Sequence, residues 1–204
     1  MPNFLTKVDT SQQKRLLHLM DVASNIAKIT LTDTDIPISF RLDIAFEVFE
    51  SFNSAISDTA LDVIKNILTD NEISVDIRLN AVFRIFGSDK IFPIENIALD
   101  TVKSILTDMD IPTSTRLDTA LRVFEKRYTM YPIEKEALKV IETVLIDTEI
   151  PINTRLNAAF KIFSPCKMQP IAIIALDVIE TILIDPEVSN NVRLDIVFEL
   201  LEPN

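Results

Sequence analysis

The stretch Ile97–Phe124, IALDTVKSILTDMDIPTSTRLDTALRVF, decides how the whole chain is read. Its first part sets Ala98, Leu99, Val102, Ile105 and Leu106 at helical spacing. Its last part does the same with Leu117, Ala120, Leu121, Val123 and Phe124. Between them lie Asp108, a short Asp-Ile-Pro segment and Arg116, which opens the second apolar stripe. The pattern predicts two helices joined by a tight turn.

Outward from this stretch the same pattern returns. The Asp recurs as Asp33, Asp70, Asp108, Asp147 and Asp185, and the Arg as Arg41, Arg78, Arg116, Arg155 and Arg193. Both series step by 37, 38, 39 and 38 residues, and Asp and Arg stay 8 apart in every copy. A period near 38 lies in the range of paired-helix repeats. The copies fall at about 13–52, 53–90, 91–129, 130–167 and 168–204, after a lead-in of residues 1–12. One elongated repeat domain over 13–204 is therefore expected. A hydrophobic content of 48% suits repeats that bury a face against each neighbour.

The first helices are predicted to run to about Thr32 in copy one and to begin near Ala55, Pro93, Pro132 and Pro170 in the others. An alanine is held in register at Ala23, Ala60, Ala98, Ala137 and Ala175, which suggests close helix approach. The second helices are expected to be capped by Ser39, Asp76, Ser114, Asn153 and Asn191, all good N-cap residue types. In the first helix the apolar positions are Leu16, Leu17, Leu19, Met20, Ala23, Ile26, Ala27 and Ile29. Ser24 and Thr30 stand there where later copies carry Leu or Ile/Val, and they read as a solvent-facing cap on a terminal repeat. The last helix keeps Ile196, Val197, Phe198, Leu200 and Leu201 without gaining a polar face. Self-association or a stacked partner is expected at that end.

The Asp sits at the C-terminal end of a helix and the Arg in a first turn. Each placement opposes the helix dipole by about 0.3–1 kcal/mol. Two misplaced charges kept in register make sense if they meet, so an Asp–Arg ladder is expected, with side-chain capping of the turn by Asp as the alternative. Paired helices, this period, an Asp after the first helix and an Arg opening the second resemble HEAT repeats, within the HEAT/armadillo superfamily. The resemblance covers roughly residues 13–202. The Asp-to-Arg spacing is longer than that family's usual pattern. The resemblance implies an all-α, right-handed solenoid of about five two-helix repeats, with second helices on the concave side, used for protein binding and scaffolding.

Two surface rows would then face a partner. Asp43, Asn80, Asp118, Asn157 and Asp195 follow each Arg by two residues, and Glu47, Arg84, Arg122, Lys161 and Glu199 come four later. The first row is similar to the Asn row with which armadillo proteins hold a peptide backbone. Arg84, Arg122 and Lys161 would form a short basic strip. The plain alternative is solvated helix surface, with Asp or Asn in the first turn complementing the dipole.

Chemistry is scarce. His18 is the only histidine, Cys166 the only cysteine and Gly87 the only glycine, so no zinc set, nucleophile–base pair or glycine-rich phosphate loop is recognisable. No catalytic, cofactor-binding or metal-binding residue is assigned. A net charge of -11 disfavours a duplex nucleic-acid binder. No apolar run approaches a membrane span, and no secretory signal is read at the N-terminus. The lone cysteine fits a reducing compartment, the cytoplasm first, with the nucleus or a virion as other settings. The reading is a non-enzymatic scaffold or assembly subunit for a protein or peptide partner. A nucleic-acid-associated repeat protein using the basic strip is the alternative, and a helical-repeat lyase lacks any motif.

Overall fold

In the computed structural model, which describes residues 10–51, 54–88, 93–126, 130–163 and 170–201, each copy is a helix, a turn and a helix. The first helices are α1 (Thr10–Thr32), α3 (Ser54–Thr69), α5 (Glu95–Thr107), α7 (Tyr131–Ile146) and α9 (Pro170–Ile184). The second helices are α2 (Ile38–Glu50), α4 (Val75–Ile85), α6 (Thr113–Glu125), α8 (Ile152–Phe163) and α10 (Asn190–Leu201). No strand occurs among the described residues. The expected helix starts hold to within about two residues. α1 begins at Thr10, ahead of the expected repeat start at residue 13.

The turn is built the same way five times. Each first helix ends as the Asp N–H donates to the carbonyl four residues back, as Asp108 does to Ser104 at 2.9 Å. The Asp carboxylate then accepts the N–H two residues on, from Asp35, Glu72, Asp110, Glu149 and Glu187, at 2.9–3.0 Å. The Asp carbonyl accepts the next N–H, from Ile36, Ile73, Ile111, Ile150 and Val188, at 3.2–3.4 Å. An Asx turn of this kind gives the backbone a local partner where helix and sheet bonds are absent.

The second helices start earlier than their expected caps. Arg41, Arg78, Arg116, Arg155 and Arg193 donate their N–H to the carbonyls of Pro37, Ser74, Pro112, Pro151 and Ser189 at 3.1–3.2 Å. Ser39, Asp76, Ser114, Asn153 and Asn191 therefore lie inside the first helical turn and are not the caps. Pro37 and Pro112 are extended, at φ -51°, ψ 136° and φ -50°, ψ 137°. Their rings pre-set φ, and their carbonyls close the first helical bond. Neither they nor Ser74 makes a side-chain cap bond.

The chain divides into two compact units, residues 1–98 and 99–204, and α5 runs across the division. In the first unit α1 contacts α2 and α3, α2 packs most extensively on α3, and α3 contacts α4. Leu31, Leu42, Phe46, Ile64, Ile67 and Ile85 are almost completely buried. In the second, α6 packs most on α7 and α8 on α9, with α6–α8, α7–α8, α7–α9 and α9–α10 contacts as well. Leu106, Met130, Ile141, Val123 and Ile162 form its interior. Fully burying such side chains contributes about 1.5–3 kcal/mol each.

Helix α1 departs from expectation. In α1 Leu16, Leu17, Leu19, Met20, Ile26 and Ile29 are exposed, and of its apolar residues only Leu31 is fully buried. Ser24 and Thr30, expected to face solvent, are half-buried. The Thr30 hydroxyl is satisfied by the Ile26 carbonyl at 3.0 Å, so turning that side inward leaves no orphaned donor. In α10 only Ile196 is buried, while Leu194, Val197, Phe198, Leu200 and Leu201 are exposed.

Candidate functional site

The repeated charges do not form the expected ladder. Among the described residues, no ion pair joins any of Asp33, Asp70, Asp108, Asp147 and Asp185 to any of Arg41, Arg78, Arg116, Arg155 and Arg193. The carboxylates hold their own turns. Three of the guanidinium groups, those of Arg78, Arg116 and Arg193, reach back into theirs. Arg116 Nε donates to the Ile111 carbonyl at 3.1 Å and its Nη2 to Thr113 Oγ1 at 3.3 Å. Arg193 Nη2 donates to the Asp185 carbonyl at 2.7 Å, and Arg78 Nη1 to Asn71 Oδ1 at 3.1 Å. Asp185 directly follows α9. The cation thus arrives at the C-terminal end of the preceding helix, where its sign is favourable. For Arg193, side-chain reach reverses the penalty inferred from position. The Nε atoms of Arg41, Arg78, Arg155 and Arg193 are buried without a hydrogen-bond partner, so the fit is closest at Arg116.

Of the residues expected to face a partner, Asp43, Asn80, Asp118, Asn157 and Lys161 are exposed, and Arg84 and Arg122 are half-buried. The structure brings two of them together in the first unit. Arg84 Nη1 donates to Asp43 Oδ1 at 2.6 Å. Its guanidinium carbon also lies 4.2 Å from the centroid of the Phe46 ring. Arg84 is thereby occupied by its own neighbours. In the second unit no ion pair within 4.0 Å joins Lys161 to Asp118.

The second unit carries a groove of about 160 Å³ between α8 and α10. The half-buried Phe160 and Val192 supply its accessible apolar surface, over the buried Leu156 and Ile196. Asn153, Asp195 and Glu199 supply polar and acidic groups. Asp195 and Glu199 belong to the two surface series read from the sequence. The contributions of Phe160 and Ile196 depend on how the two helices pack, which spacing does not reveal.

His18 lies exposed on α1, and Cys166 lies outside the described residues. Among the described residues, no group of three or more His, Cys, Asp or Glu is placed to hold a metal ion. None of the described helices is long and apolar enough to cross a membrane. Compared with known proteins, the chain matches no family model, no curated protein and no solved structure.

Proposed function

We propose that the chain is a non-catalytic interaction module, an α-solenoid of about five HEAT-like hairpins that offers second-helix surface to a protein or peptide partner. The observation that carries this reading is the α8–α10 groove, where the half-buried Phe160 and Val192, over Leu156 and Ile196, adjoin Asp195 and Glu199. An apolar pocket with a few placed polar groups is the usual form of a recognition site. Its chemistry suits a segment with one large apolar side chain beside Lys or Arg. The five identical turns support the repeat architecture.

The nucleic-acid alternative draws less support, because Arg84 is engaged by Asp43 and Phe46 and the chain carries a net charge of -11. Panning a displayed random-peptide library against the purified chain tests the reading. Selected peptides should pair an aromatic or Leu with basic residues. They should bind Asp195→Lys/Glu199→Lys at least about 10-fold more weakly, as loss of close charge complementarity requires. Peptides unaffected by that double substitution would remove the groove from consideration.

A further inference from the structure

The Arg84 contact in the first unit is built from fixed register positions. Asp43 and Phe46 follow Arg41 by two and five residues, and Arg84 follows Arg78 of the next copy by six. A guanidinium on one second helix thus rests on the ring and carboxylate of the second helix before it. Its carbon lies 4.2 Å from the Phe46 centroid and its Nη1 2.6 Å from Asp43 Oδ1. Phe46 is 0% exposed.

The groove between α8 and α10 uses the same positions with one charge reversed. Phe160 stands in copy four where Phe46 stands in copy one, and Glu199 stands in copy five where Arg84 stands in copy two. That register is a cation in copies two, three and four, as Arg84, Arg122 and Lys161, and an acid in copy five. With Glu199 there, Phe160 is half-buried and lines the groove. Asn157 takes the place of Asp43, so the carboxylates come from the opposite wall, as Asp195 and Glu199. Both are exposed, and among the described residues neither has an ion-pair partner within 4.0 Å. Four residues apart on one helix, the two acids repel each other mildly.

We infer that the basic residue taken by this groove is an arginine of the partner, its guanidinium stacked on Phe160 and paired with Asp195 and Glu199. The inference deepens the peptide-binding reading proposed above and rests on it. The contact that Arg84 makes within the chain is here made between chains. Three properties favour guanidinium over ammonium. A planar head covers an aromatic face as a compact charge does not. Five donors in a fork can serve two carboxylates. The guanidinium is also more weakly hydrated, so it enters more readily beside the half-buried Val192. At about 160 Å³ the groove is smaller than the roughly 300–1,000 Å³ of pockets that enclose a small ligand whole, so it suits one side chain of a longer segment. Free arginine would bring its own carboxylate toward the two acids.

The probe is capped N-acetyl-leucyl-arginine amide, titrated into the full chain and followed by the NMR signal of the Phe160 ring. Loss of that signal in Phe160→Leu identifies it, and copy three already carries a leucine at this register, Leu121. Lysine and citrulline versions of the peptide are titrated in parallel. The arginine peptide is expected to shift the ring signal, and the lysine peptide to bind at least about 5-fold more weakly. Citrulline keeps the planar shape without the charge and is expected to bind at least about 10-fold more weakly. A second measurement supplies the guanidinium from within the chain. Glu199→Arg is expected to melt at least about 2 °C above Glu199→Lys, a margin that Phe160→Leu removes. Equal binding of the arginine and lysine peptides, an unmoved ring signal, or equal melting of the two Glu199 variants would each overturn the inference. The peptide-binding reading fails on a different result, selected library peptides that ignore Asp195→Lys/Glu199→Lys. Selected peptides that need both acids yet accept lysine for arginine would overturn the inference and keep the groove.

Discussion

Arg84 on α4 joins Asp43 on α2 at 2.6 Å across 41 residues of sequence, with the Phe46 ring 4.2 Å beneath its guanidinium carbon. The two partners contribute differently. The Asp43 side chain is 60% exposed, so the ion pair itself is of the weak surface kind. The stacked ring adds a contact that salt screens less and that needs the planar guanidinium. Arg84→Ala is expected to lower unfolding stability by about 1 kcal/mol and Asp43→Ala by less than about 0.5 kcal/mol. Urea denaturation of both single variants and the double variant measures the coupling.

The five Asx turns give a test that separates turn capping from an ion pair. In Asp108→Asn the amide oxygen still accepts the Asp110 N–H, so stability should change by less than about 0.5 kcal/mol. Asp108→Ala removes the acceptor and is expected to cost about 1 kcal/mol. Thermal unfolding of the pair reads the difference. Equal losses in both variants would mean that the carboxylate charge matters more than its acceptor geometry.

Arg116 and Arg155 occupy one register with unequal bonding. Arg116 Nε reaches the Ile111 carbonyl, whereas Arg155 Nε is buried without a partner. Replacing Arg116 by Met should therefore cost about 1.5–3 kcal/mol, the range for hydrogen bonds made by a charged group. Arg155→Met should cost clearly less, because it also removes an unsatisfied buried donor. Chemical denaturation of the two variants checks the order.

α1 should tolerate polar substitution on one side only. Ile26 is 60% exposed and Leu31 is 0% exposed on the same helix. In the monomer, Ile26→Gln is expected to stay within about 0.5 kcal/mol of wild type. Leu31→Ala is expected to cost about 2–5 kcal/mol. Calorimetry at a concentration where sedimentation shows only monomer makes the comparison.

The helices and turns were legible because Asp108 and Arg116 fix a frame in which the apolar spacing repeats. The caps were not, since sequence favours a side-chain oxygen such as Ser114, while the carbonyl of Pro112 closes the first helical bond. The ladder failed for a related reason. Position along a helix places Arg193 near a positive pole, but its side chain is long enough to reach the Asp185 carbonyl on the preceding segment. Apolar spacing identified the stripes of α1 and α10 but not what covers them, because Leu194 and Leu156 look alike in sequence and differ only in their neighbours. The groove was half visible, with Asp195 and Glu199 in the surface rows and Phe160 and Ile196 hidden in the apolar stripes.

The corner between Asp and Arg admits no change of length. Its Asx bond returns at 2.9–3.0 Å in all five copies, and the 8-residue span never varies. All the slippage between 37 and 39 residues is taken up outside that span. Inserting one residue between Asp147 and Arg155 would shift the donors that the Asp carboxylate and carbonyl receive and rotate every side chain of α8 by about 100°. The same residue added to a link between copies would leave each corner intact. The chain is thus editable in its joints and rigid in its elbows.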